Sequence, residues 1–96
     1  MPEAADNPDR HRYEMAVGGK TAFVTYARRA HNIVLKHTEV PPALEGQGVG
    51  SALARSVLRD IRRRGLKVVP ECAFIAAFIA CHPEFADIVA EPDAGP

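Results

Sequence analysis

At Pro41-Pro42 the hydrophobic pattern of this chain changes period, and that change decides what the chain can fold into. Before the proline pair apolar and polar residues alternate; after it apolar residues recur every three or four positions. The first half therefore reads as strands and the second as amphipathic helix, divided by two residues that cannot donate ladder hydrogen bonds. Arg12 to Val17 sets Tyr13, Met15 and Val17 against Arg12 and Glu14. Gly18-Gly19 supplies the positive φ angles of a two-residue hairpin turn. Lys20 to Arg28, rich in β-branched and aromatic residues, returns antiparallel. After a turn at Arg29-Ala30, His31 to Val40 is a third strand. Its alternation puts Ile33, Leu35, His37 and Glu39 on one face, with Asn32, Val34, Lys36, Thr38 and Val40 on the other.

From about Gln47 to Arg64, Val49, Leu53, Val57 and Ile61 recur every four residues, with Ala52 and Leu58 widening the stripe, and Gly65 ends the helix. Leu66 to Val69 is a short apolar strand closed by Pro70. Ala73 to Ala80 is a second helix, read with Ala73, Phe74, Ala77, Phe78 and Cys81 along one side and the two phenylalanines in the core. His82-Pro83 breaks it, and Glu84 to Ala90 is a further helical turn. The expected architecture is α+β: three meandering strands, a helix, a fourth strand and a second helix. The sheet is mostly antiparallel, with one parallel, right-handed strand–helix–strand crossover from the third strand to the fourth.

Size narrows this further. The chain has 96 residues. Its ends, residues 1–10 and 91–96, are polar and proline-rich and read as disordered tails, which leaves residues 11–90 as one domain. Such a length allows one sheet covered by one or two helices and excludes a complete doubly wound dinucleotide fold. Lys and Arg number 12 against 12 Asp and Glu, a balance that argues against nucleic acid as the main partner. No apolar run is long enough to span a membrane, and the acidic start does not resemble a secretory signal. Cys72 and Cys81, nine apart in a helical stretch, would lie on opposite faces roughly 13 Å apart along the axis, too far for a mutual disulfide. Free thiols without a signal point to the cytoplasm. Cys81-His82 is not a metal pair, because adjacent residues diverge and no ligand cluster accompanies them; no metal is expected.

The densest chemical signal is Glu45-Gly46-Gln47-Gly48-Val49-Gly50-Ser51-Ala52, between a strand end and a helix start. Its glycines let backbone approach a ligand closely, and the helix opening behind them offers unpaired N–H groups and the positive end of a dipole. That combination suits a diphosphate. A nucleoside-triphosphate loop requires Lys-Ser/Thr after its last glycine, and Ser51-Ala52 stands there instead. The dinucleotide fingerprint requires a third glycine where Ser51 stands, although Glu71, about 20 residues on, keeps it as a lesser alternative.

These residues resemble the acetyl-coenzyme A signature of the GNAT superfamily of N-acetyltransferases, Arg/Gln-x-x-Gly-x-Gly/Ala, with Gly48 and Gly50 at its two small positions. His37-Thr38-Glu39-Val40-Pro41-Pro42, Val68-Val69-Pro70-Glu71-Cys72 and His82-Pro83-Glu84 are similar, in order and spacing, to the short single-domain YjdJ-like branch of that superfamily. The resemblance covers about Arg12 to Val89. It implies a small GNAT-like fold that takes acetyl-CoA as co-substrate and moves the acetyl group to an unidentified amine by direct attack. The cofactor would lie on the loop amides from Gln47, Gly48, Val49 and Gly50 to Ser51 and Ala52, with its pantetheine arm along the backbone of Glu39 and Val40. Two departures stand out: Glu45 replaces the usual Arg or Gln, and the second helix lacks the tyrosine that protonates the leaving thiolate in larger relatives. They motivate an alternative reading, a CoA-binding module with little or no transferase activity.

Direct attack needs a base, and a donor for the departing sulfur. Glu39 is the first candidate base and His37 the second. Cys72, at a helix N-terminus where thiol pKa falls, is the candidate acid or transient acyl acceptor. Arg55, Arg59 and Arg62 share a helix face continued by Arg63 and Arg64; a small nucleic-acid-binding domain using the Arg55–Arg64 helix is a third reading. A monomer or weak homodimer is expected, with an open face or a partner's surface receiving the acceptor.

Overall fold

The computed structural model describes residues 3–90. Five strands form one sheet in sequence order: β1 (Ala5–Asn7), β2 (Arg12–Val17), β3 (Lys20–Arg28), β4 (Asn32–Glu39) and β5 (Lys67–Pro70). All neighbours are antiparallel except β4 and β5, which run parallel on either side of helix α1 (Val49–Arg63). Helix α2 (Ala73–Cys81) and a 3-10 segment, Pro83–Ile88, complete the chain. Gly18 and Gly19, at φ 56° and 79°, make the β2–β3 turn as their pairing required.

One face of the sheet carries the core. Tyr13, Met15, Ala22, Val24, Ile33 and Leu35 meet the buried stripe of α1, Val49, Leu53, Val57, Leu58 and Ile61. Helix α1 ends in a Schellman arrangement: Leu66 N–H donates to Ile61 O at 3.1 Å and Gly65 N–H to Arg62 O at 3.0 Å. On the opposite face Ala27, Val34 and Val69 lie side by side across β3, β4 and β5.

Three expectations change. Residues 3–10, expected to be a tail, include β1, paired with β2, and a 3-10 turn at Pro8–Arg10. The segment lacks apolar periodicity because polar contacts hold it. Ala4 N–H donates to Ser56 Oγ at 2.8 Å, Asp6 accepts from the Tyr26 hydroxyl, and Arg64 reaches Asp6 at 3.0 Å. Residues 1–2 and the expected tail at 91–96 lie outside the described residues.

The second change is in β4. Thr25 faces His37 while Tyr26 faces Leu35, so Lys36 has no partner on β3 and forms a bulge. The inserted residue reverses the alternation beyond it. Thr38 joins Leu35 on the core face, and His37 and Glu39 turn to the face of Thr25 and Phe23.

The third concerns α2, whose sequence AFIAAFIAC is apolar all round, so periodicity could not choose its buried side. Ile75, Phe78 and Ile79 are buried, and Phe74 is the exposed large hydrophobic among the described residues, at 42%. The chain beyond α2 is a 3-10 segment with Phe85 and Ile88 buried, after which Ala90 N–H donates to Val68 O at 2.8 Å.

A part-buried polar cluster ties α1 to the sheet. The Tyr13 hydroxyl donates to Asp60 at 2.6 Å, and Arg64 Nε lies 2.9 Å from the same carboxylate. Burial and the neighbouring carboxylates raise both tyrosines, pushing Tyr26 up to about 12, so each hydroxyl stays a donor at neutral pH. Tyr13→Phe is expected to cost roughly 1.5–3 kcal/mol in urea unfolding, the range for a hydrogen bond to a charged acceptor.

Candidate functional site

The parallel pairing of β4 with β5 runs from Asn32–Lys67 to Leu35–Pro70 and stops. Proline supplies no N–H to continue it, and the next contact is Cys72 N–H donating to Leu35 O at 3.0 Å. Beyond Leu35, β4 runs on to Glu39 with no strand of the described residues beside it on that edge. A cavity of about 550 Å³ opens where the strands part, between the end of β4, the glycine loop and the start of α2.

The loop is shaped locally. After Pro41, the 3-10 turn Pro42–Leu44 buries Leu44 as an anchor, and Gln47 Nε2 donates back to Ala43 O at 3.1 Å. Gly46 and Gly48 sit at φ 81° and 76°, where a side chain would be strained. Gly48 is the N-cap of α1, with no side-chain capping bond and no acid in the first turn. The N–H groups of Val49, Gly50 and Ser51 therefore keep their donor capacity at the dipole's positive end, and these residues line the cavity.

Of the expected cofactor residues, Glu39, Val40, Gly48, Val49, Gly50 and Ser51 border the cavity. Gln47 turns to its own loop, and Ala52 N–H is already bonded to Gly48 O. Glu45 also lines the cavity and is exposed.

The candidate catalytic residues divide. Glu39 borders the cavity; His37 Nε2 lies 3.7 Å from Glu39 Oε1 on the outer face, with side chains 63% and 59% exposed. Cys72, only 8% exposed, sits behind Thr38, whose hydroxyl is 3.2 Å from its sulfur. Burial pushes the Cys72 thiol up, but the Thr38 hydroxyl and the backbone N–H groups of Ile75 and Phe74 outweigh it and hold the thiol below its ordinary value. Thr38, Leu44 and Phe74 belong to the cavity wall and were not among the expected site residues. Only the bulge brings Thr38 to this side, while Phe74 had a visible cue in its position two residues after Cys72.

The arginines of α1 are largely committed. Arg55 pairs with Glu84 at 3.4 Å, Arg62 with Asp87 and with Glu84 O at 2.6 Å, and Arg63 and Arg64 with Asp60. Arg55 and Arg62 also lie over the rings of Phe78 and Phe85 at 5.6 and 5.3 Å. These contacts clamp the segment after α2 and pair Arg55, Arg62, Arg63 and Arg64 with carboxylates, while Arg59 is exposed. No helix among the described residues is long and apolar enough to cross a membrane.

Because its thiolate forms at lower pH, Cys72 should react with iodoacetamide along a pH profile whose midpoint lies below that of an ordinary cysteine. Thr38→Val, which removes one stabilising donor, should move the midpoint upward, as peptide-resolved mass spectrometry would show.

No curated protein matches the chain. A family model described as GCN5-related N-acetyl-transferase matches residues 12–88, spanning the sheet from β2 onward, the glycine loop, both helices and the closing 3-10 segment. The chain belongs to the GCN5-related N-acetyltransferase family.

Proposed function

We propose that this chain binds acetyl-CoA and transfers its acetyl group to an amine, as a member of the short single-domain branch of its family. The observation that carries the reading is the cavity where β4 leaves β5, bounded by uncapped α1 amides on one side and by the free end of β4 on the other. The diphosphate would lie on the N–H groups of Val49, Gly50 and Ser51. The pantetheine arm would run along Glu39 and Val40, bringing the thioester toward Thr38 and Cys72.

In direct attack the amine nitrogen bonds to the acetyl carbon, the C–S bond breaks, and CoA leaves as thiolate. Glu39 takes the proton shed by the amine, directly or through water, and Cys72 can supply one to the leaving sulfur. His37, on the outer face beside Glu39, would act by orienting that carboxylate. The Thr38–Cys72 contact favours a second route. There the Cys72 thiolate attacks the acetyl carbon, CoA leaves as thiolate, and the acetylated cysteine passes its group to the amine. A module that binds CoA without transferring is the remaining alternative.

Calorimetric titration with acetyl-CoA should give a sub-millimolar Kd; absence of heat would refute the reading. Thiol release with mixed amines then separates enzyme from module. Glu39→Gln should slow it by roughly 10²-fold or more. Acetylation of the Cys72 peptide after incubation without acceptor would select the second route, and an unmodified peptide together with undiminished turnover in Cys72→Ala would eliminate it.

A further inference from the structure

The glycines of the loop meet two different constraints. Gly46 and Gly48 have positive φ and open space around them, whereas Gly50 has ordinary helical geometry. A Cβ at Gly50 would stand 2.9 Å from the Phe74 Cζ and 3.5 Å from both Cε atoms. The residue at position 50 is therefore kept small by a ring. That ring is 42% exposed and contributes the wall of the cavity that comes from α2.

An exposed phenylalanine costs solvation free energy that a ligand beside it would recover. Phe74 lies at the second position of α2, two residues beyond Cys72, and shares the cavity with Thr38, Glu39 and Val40 at the end of β4. What passes between that strand end and this ring must offer apolar surface; in acetyl-CoA the adenine and the pantetheine arm both do, and the arm is the one the proposed reading lays along Glu39 and Val40, opposite the ring. The diphosphate is served by amides, which gain nothing from a phenyl ring.

We infer that Phe74 is a specificity-determining wall of the acyl-carrier channel, and that Gly50 is a positioning residue that lets the ring settle against α1. This assignment rests on the proposed acetyl-CoA reading and adds to it a different reason for Gly50: clearance for an aromatic side chain rather than close approach to phosphate. Because the ring is the far end of an exposed side chain, it can yield to a methyl group at position 50. Gly50→Ala therefore displaces the ring into the channel without unfolding the chain, alanine being the better helix former.

The test is a double-mutant cycle read by calorimetry with acetyl-CoA and with 3′-phospho-ADP, which keeps the diphosphate and lacks the arm. Phe74→Ala should raise the Kd for acetyl-CoA roughly tenfold, as expected for losing contact with part of a phenyl face, and leave that for 3′-phospho-ADP unchanged. Phe74→Leu should restore most of the affinity. Gly50→Ala should weaken acetyl-CoA binding when Phe74 is present and have no effect in the Phe74→Ala background. Melting temperatures near wild type for all variants would assign the changes to the channel rather than to folding.

Equal loss with both ligands on Phe74→Ala would overturn the arm assignment in favour of contact with the nucleotide. An effect of Gly50→Ala that persists without Phe74 would overturn the clearance role. Unchanged acetyl-CoA affinity in Phe74→Ala would overturn the inference while leaving the proposed function standing. A wild-type chain that fails to bind acetyl-CoA would overturn both.

Discussion

The short parallel ladder between β4 and β5 is the constraint on which the site depends. It begins at Asn32–Lys67 and ends at Pro70, a residue that accepts a bond but cannot give one. The chain after Pro70 does not drift away. Cys72 N–H donates to Leu35 O, which turns the backbone sharply and starts α2 beside the abandoned edge of β4. Had the ladder continued, the end of β4 would be covered by a neighbouring strand and the loop amides of α1 would face a closed sheet. Strand separation gives the first turn of α1 a space to point into, and the bulge at Lys36 directs Thr38 toward Cys72.

Two kinds of contact hold the frame around that opening. The apolar stripe of α1 meets the inner face of the sheet, as in any two-layer fold. At the far end of α1, charge takes over: Asp60 and Arg64 join the helix to Tyr13 on β2, to Asp6 on β1 and through Asp6 to Tyr26 on β3. A short edge strand of Ala-Asp-Asn can persist because Asp6 enters this cluster and Asn7 donates to Glu14, not because it adds apolar area. The arginines on another side of α1 clamp Pro83–Ile88 through Glu84 and Asp87. A small domain thus supplements a modest core with polar fastening along one helix.

What could be read from the residues follows from where the signal resides. The Gly18-Gly19 hairpin, the stripe from Val49 to Ile61 and the glycine loop are local patterns, and each fixes its own geometry. The bulge at Lys36 has no local signature, since the same residues could alternate without a break. Its consequence, moving His37 and Glu39 away from the face of Leu35, was therefore invisible. β1 escaped notice because apolar periodicity cannot register Asp6 bonded to a tyrosine and an arginine distant in sequence. The uniformly apolar α2 concealed which phenylalanine is core and which is site. The loop residues Gly48 to Ser51 that border the cavity could be named from the chain alone. The contacts across elements, Thr38 with Cys72 and Gly50 with Phe74, required the fold.

The carboxylates that border the cavity bear on how quickly an anion arrives there. With 12 acids balancing 12 bases, the chain has little long-range field of its own. Glu39 and Glu45 line the cavity, while Arg62, Arg63 and Arg64 lie at the opposite end of α1, about 20 Å away by helical rise. That distance exceeds a Debye length at physiological ionic strength, so those cations draw nothing toward the site. An anion approaching the cavity would therefore meet the loop amides only after collision, without being guided in beforehand. Encounter with an anion would be slowed by the two nearby carboxylates and quickened by added salt, which screens them.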